Sequence, residues 1–123
     1  MVSIGEFKQD LLRLYNEVNK KIFQSGVRQQ RVDVIGNKIL ILSVNTRIPV
    51  LQLTDRVDPM ASAVVDRVLQ RQFKEEFRAL LETKYHMKVI AVLKDYDIAT
   101  EQAGTIVIFE QDVMMYLNNE SEL

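Results

Sequence analysis

The chain has 123 residues, enough for one domain with its own core. Hydrophobic residues make up 47% and charged residues 27%, and a formal net charge of −1 supplies no overall field to draw the chain onto nucleic acid. There is no cysteine, which excludes disulfides, thiolate catalysis and cysteine-bound zinc and suits a reducing, cytoplasmic setting.

No apolar run approaches the roughly 18 residues that a membrane span requires. The opening MVSIGEFKQD carries acidic residues and no apolar leader, so neither insertion nor secretion is expected. Ser3 followed by Glu6 fits a capping box. Phe7, Leu11, Leu14, Tyr15, Val18 and Ile22 then recur every three or four residues, which predicts a helix over residues 4–24, stopped by Ser25-Gly26. Residues 28–35 place Val32 and Val34 on one face of a strand and Arg31 and Asp33 on the other. Gly36-Asn37 predicts a tight two-residue turn into a second strand over residues 38–45. Residues 47–51 are apolar but hold Pro49, which cannot donate to a ladder, so an edge or a connection is expected there.

Asp58-Pro59 starts a second long helix, predicted to run to about residue 85. Its expected buried stripe is Ala61, Val65, Leu69, Phe73, Phe77, Leu80 and Leu81. Arg67, Arg71, Lys74, Glu75, Arg78 and Glu82 lie mostly off that stripe, and Lys74–Arg78 is a like-charge pair that costs a little. Two apolar runs, 89–93 and 105–109, then read as a hairpin around a decorated polar loop. Met114, Met115 and Tyr116 are expected to pack the chain end onto the core. Residues 1–117 thus form one domain, and residues 118–123 a polar, disordered tail.

The order α-β-β-α-β-β predicts an α+β fold, with a four-stranded, mainly antiparallel sheet and two long helices packed on one face. Its other face would be only partly polar, which predicts a homodimer. His86, the single histidine, sits at a helix-to-strand junction, where the helix dipole accounts for it. Ser43 and Ser62 lack a nucleophile-elbow context, and four scattered glycines make no phosphate-cradling loop. No catalytic set is legible, so no enzyme and no cofactor are expected.

Two clusters remain as candidate sites. Asp95, Tyr96, Asp97 and Thr100 occupy the predicted loop. Paired carboxylates can chelate a hard cation, but the calcium-loop pattern fails at Ala99, Thr100 and Ile106, so no metal is assigned. A self-bonded turn accounts for these residues, and partner docking through Tyr96 is the functional alternative. Lys20, Lys21, Arg28 and Arg31 form a basic cluster, a candidate anion site if two copies meet there.

The segment Arg47-Ile48-Pro49-Val50-Leu51, the Gly-Asn hairpin, the long second helix and Leu93-Lys94-Asp95-Tyr96-Asp97 through Thr105-Ile106-Val107-Ile108-Phe109 together resemble the small bacterial MpsC family. The resemblance spans the first helix to the last strand. It implies a bacterial cytoplasmic protein associated with a membrane-potential-generating system, built from an antiporter-like subunit and a large soluble subunit and linked to sodium movement and inorganic-carbon (bicarbonate or CO2) uptake. The role so implied is an accessory subunit or regulator working by protein–protein interaction, with no catalytic residue to carry over. The alternative from the residues themselves is a dimeric module that senses a small anion or nucleotide.

Overall fold

In a computed structural model, which describes residues 2–120, the chain folds as α+β in the expected order, with two further short helices. The Ser3 hydroxyl accepts from the Glu6 amide at 3.1 Å and opens helix α1, Ile4–Phe23. The left-handed residue that ends it is Gln24 (φ 53°), where the sequence pointed to Gly26. Strand β1, Val27–Ile35, turns through Gly36-Asn37 into β2, Lys38–Asn45, with Gly36 at φ 60° taking the first corner.

Residues 49–57 depart from expectation. They form helix α2, Pro49–Val57, in which Pro49 occupies the first turn. The property that bars proline from a ladder does no harm there, because the first amides of a helix have no internal partner. Asp58 closes α2 and accepts from the Ala61 amide at 3.3 Å to open α3, Pro59–Tyr85. His86 ends α3 in a left-handed conformation at φ 55°. Strands β3, Val89–Asp97, and β4, Gln102–Phe109, follow, and α4, Val113–Glu120, closes the described chain. Helix α4 thus occupies part of the stretch expected as a polar tail, and residues 121–123 lie outside the described residues.

The sheet is antiparallel throughout, in the order β1-β2-β4-β3. Its inner face presents Val32, Ile39, Ile41, Thr105, Val107 and Phe109 to Phe7, Leu11, Tyr15 and Val18 of α1 and to Phe73, Phe77 and Leu81 of α3. Of the expected α3 stripe, the C-terminal half holds. Val65 is exposed, and α3 packs with α2 as well as with the sheet. Tyr116 and Leu117 of α4 are buried in the same core, whereas Met114 and Met115 stay exposed.

Candidate functional site

The predicted interaction loop is shorter than the sequence suggested. Asp95, Tyr96 and Asp97 lie in β3, paired with Gly104, Ala103 and Gln102, and the turn is residues 98–101 alone. Backbone pairing carries the ladder past the apolar run, since the strand needs no apolar side chain on its solvent face. Asp97 Oδ2 accepts from the Thr100 amide at 3.0 Å and its hydroxyl at 2.6 Å, and these bonds lower the Asp97 pKa. Asp95 accepts from the Tyr96 amide. Tyr96 faces inward, donating its hydroxyl to the Asn45 carbonyl at 2.8 Å. The loop residues therefore satisfy one another, and Tyr96 lies half-buried on the inner face of β3.

The candidate basic cluster is likewise dispersed. Lys21 pairs with Glu76 at 2.6 Å, Arg28 with Glu101 at 3.3 Å and Arg31 with Asp33 at 3.1 Å, while Lys20 lies in the last turn of α1. Carboxylates already compensate three of the four cations.

The functional chemistry gathers instead around Lys94. Alternation along β3 puts Val92, Lys94 and Tyr96 on the inner face, and the register sets Lys94 beside Thr105 and Ile41. Its ammonium donates to the Tyr15 hydroxyl at 3.0 Å and the Thr105 hydroxyl at 3.2 Å, and lies 4.3 Å from the centre of the Phe73 ring. Burial holds the Lys94 pKa below the ordinary lysine value; attraction to Tyr15 opposes this, and repulsion from Lys74 adds to it. Burial pushes the Tyr15 phenol up, but the charge and hydrogen bond of Lys94, with those from Ser43 and Asn45, outweigh it and leave the pKa lowered.

From Lys94 a chain of hydrogen bonds runs through the core: Tyr15 to Ser43 at 3.1 Å, Ser43 to Asn45 Oδ1 at 2.7 Å, and Asn45 Nδ2 to Asn19 Oδ1 at 3.2 Å. Asn19 is 0% exposed, and among the described residues its Nδ2 has no acceptor and Gln70 Oε1 has no donor. Both line a small chamber with Lys94, Arg47, Asn45 and Tyr96, of about 20 Å³, room for one water-sized guest.

Arg47, only 6% exposed, braces that chamber. It forks onto Asp55 of α2 at 2.7 and 2.9 Å and Asp66 of α3 at 2.6 and 2.9 Å. The hydrogen bonds to Asp55 do most to raise the Arg47 pKa against the opposing effect of burial, and the same bonds lower that of Asp55. Outside the chamber, Lys94 and Gln70 also line an open groove of about 570 Å³ with Arg67, Arg71, Lys74, Glu75, Arg78 and Val92. Arg78 pairs with Glu82, while Arg67, Arg71, Lys74 and Lys94 make no ion pair among the described residues.

Two helix faces are apolar. Val50, Leu53 and Val57 stand on the outward face of α2, and Met60, Val64 and Val68 on that of α3, with Val57 and Met60 at 76% and 80% exposure. Sequence reasoning missed Lys94, Gln70, Asn19 and Arg47. For Lys94 the signal was present, because period-two alternation from Val92 points it inward once β3 is extended beyond Leu93.

Among the described residues no three histidine, aspartate or glutamate side chains gather to hold a metal, and no helix is long and apolar enough to cross a membrane. Compared with family models, curated proteins and solved structures, the chain matches none.

Proposed function

We propose that this chain is a non-catalytic accessory protein of the bacterial cytoplasm, a homodimeric subunit or regulator of a membrane cation or bicarbonate transport system, acting by protein–protein contact. The observation that carries the reading is the exposed apolar faces of α2 and α3, two helices packed on each other. Six large aliphatic side chains stand in water on two helices that Arg47 locks to each other. Monomeric proteins seldom leave such patches uncovered. The occupant that fits is an apolar, helix-bearing surface of another subunit of the system, and the resemblance to the MpsC family supplies its setting. The chemistry of the remaining polar groups is consistent with this role: Ser43 is engaged inside the core network, and His86 caps a helix at the surface.

A crosslinking pull-down from the native membrane fraction tests this. The expected result is recovery of the antiporter-like or large soluble subunit, identified by mass spectrometry, with wild type but not with Val57→Glu/Val64→Glu. Both changes fall on exposed positions and should leave the fold intact, with stability altered by roughly 0.5 kcal/mol or less. Recovery of this chain alone, or equal recovery with the double variant, would rule out the apolar faces of α2 and α3 as the docking surface.

A further inference from the structure

We propose that the groove between α3 and β3 binds a small ligand carrying two linked phosphate groups, with Lys94 as its inner anchor. This assignment goes beyond the partner-binding role and stands without it, because none of its residues belongs to the apolar faces of α2 and α3.

Charge selects the class. Arg67, Arg71 and Lys74 recur at three- and four-residue spacings, so one side of α3 directs them into the groove, where Lys94 meets them from β3. Against these four cations the groove offers one carboxylate, Glu75, leaving three positive charges unbalanced. A single phosphate monoester brings about −1.5 to −2, which falls short, whereas two linked phosphates match. Arginine forks grip phosphate oxygens in pairs, and lysine serves as a point charge beside them. In the free protein the same side chains repel one another along the helix, a cost that a bound anion removes.

Shape and depth select a small molecule. The volume of about 570 Å³ falls within the range of small-ligand clefts. The anchor lies on the inner face of the sheet, beneath α3, where neither a flat bilayer nor the backbone of a duplex reaches. Behind it, the unpaired amide ends of Asn19 and Gln70 mark a polar chamber whose hydrogen bonding the protein does not complete. Gln70 and Lys94 line both spaces, so an oxygen seated between them is reached from the groove. Among the described residues no aromatic side chain lines the groove and Val92 is its one apolar wall residue, so recognition falls on the phosphates and not on a stacked base.

Calorimetric titration of the full chain with inorganic pyrophosphate tests the assignment, with inorganic phosphate, duplex DNA and phosphatidylglycerol vesicles as comparison arms. Pyrophosphate should bind saturably, raise the melting temperature and outcompete inorganic phosphate. Arg71→Gln/Lys74→Gln should weaken binding about tenfold or more, without lowering the melting temperature of the free protein. Lys94→Met, which keeps the apolar stem and removes the charge, should also weaken it; if that variant does not fold, the Arg71/Lys74 pair decides. The proposal is overturned if pyrophosphate at millimolar concentration gives neither heat nor a melting shift, if inorganic phosphate binds equally well, or if the Arg71/Lys74 variant binds unchanged. Capture of DNA or vesicles without pyrophosphate binding would overturn the small-ligand class in favour of a macromolecular surface.

Discussion

At residue 96 the strand alternation turns a tyrosine inward, where its hydroxyl bonds the Asn45 carbonyl and its ring lies 5.7 Å from the Arg47 guanidinium. Burial pushes its pKa up to about 12; the charge of Glu101 adds to the shift, and that of Arg47 opposes it. An unfolded tyrosine loses its proton near pH ~10. Between that pH and about 12 the native chain therefore holds the extra proton, and stability falls as pH rises through this window. Tyr96→Phe should cost about 1 kcal/mol at neutral pH through the lost hydrogen bond. It should also flatten the alkaline fall in the urea midpoint, and a variant that loses alkaline stability as steeply as wild type would show that Tyr96 is not its source. Tyr96 and Lys94 were legible in the sequence in principle, since period two carries Val92 inward and them with it. Arg47 was not, because its partners Asp55 and Asp66 stand 8 and 19 residues away and nothing local announces them.

The two long helices and both hairpins were readable because each repeats its pattern several times. Helix α1 has a full apolar stripe, and β1 and β2 are joined by a Gly-Asn turn whose first corner, Gly36 at φ 60°, favours glycine. The short helices α2 and α4 were missed for a physical reason: eight or nine residues complete barely two turns, too few for a period to stand out. Helix α4 nonetheless completes the core. The Val113 amide donates to the Gly36 carbonyl at 2.9 Å, seating the helix on the β1–β2 turn. The Tyr116 hydroxyl accepts from the Lys88 and Gln111 amides, each at 3.3 Å, and Leu117 is fully buried. Leu117→Ala should therefore cost about 3 kcal/mol, transfer and cavity terms together. Urea unfolding reads this directly; a loss under about 0.5 kcal/mol, the scale of an exposed-site change, would mean that α4 is an appendage and not part of the core.

For the molecule as a whole, the layer arrangement followed from two one-sided helices needing a common sheet, and that requirement leaves the far side of the sheet without a helix among the described residues. Leu40, Ile106 and Leu93 form one row across β2, β4 and β3, flanked by Leu42 and Ile108 in neighbouring rows. Leu42 and Leu93 are 44% and 51% exposed. The row holding Leu42 ends in Arg31 on one edge strand and Asp95 on the other. A two-fold axis parallel to the strands would lay the apolar rows against each other and bring Arg31 over the partner's Asp95, a self-complementary arrangement of the kind isologous dimers use. Sedimentation should therefore show a dimer that weakens with salt only modestly, since apolar contact supplies most of the attraction. Ile106→Lys, at the middle of the face, should yield a monomer that still unfolds cooperatively in urea, losing only the stability that pairing supplies, because the side chain already stands partly in water. Val64→Glu, on the opposite side of the molecule, should leave the dimer intact. A wild-type chain that sediments as a monomer at high concentration, or an Ile106→Lys variant that still pairs, would remove the sheet face as the contact and leave the apolar faces of α2 and α3 as the surface through which copies or partners meet.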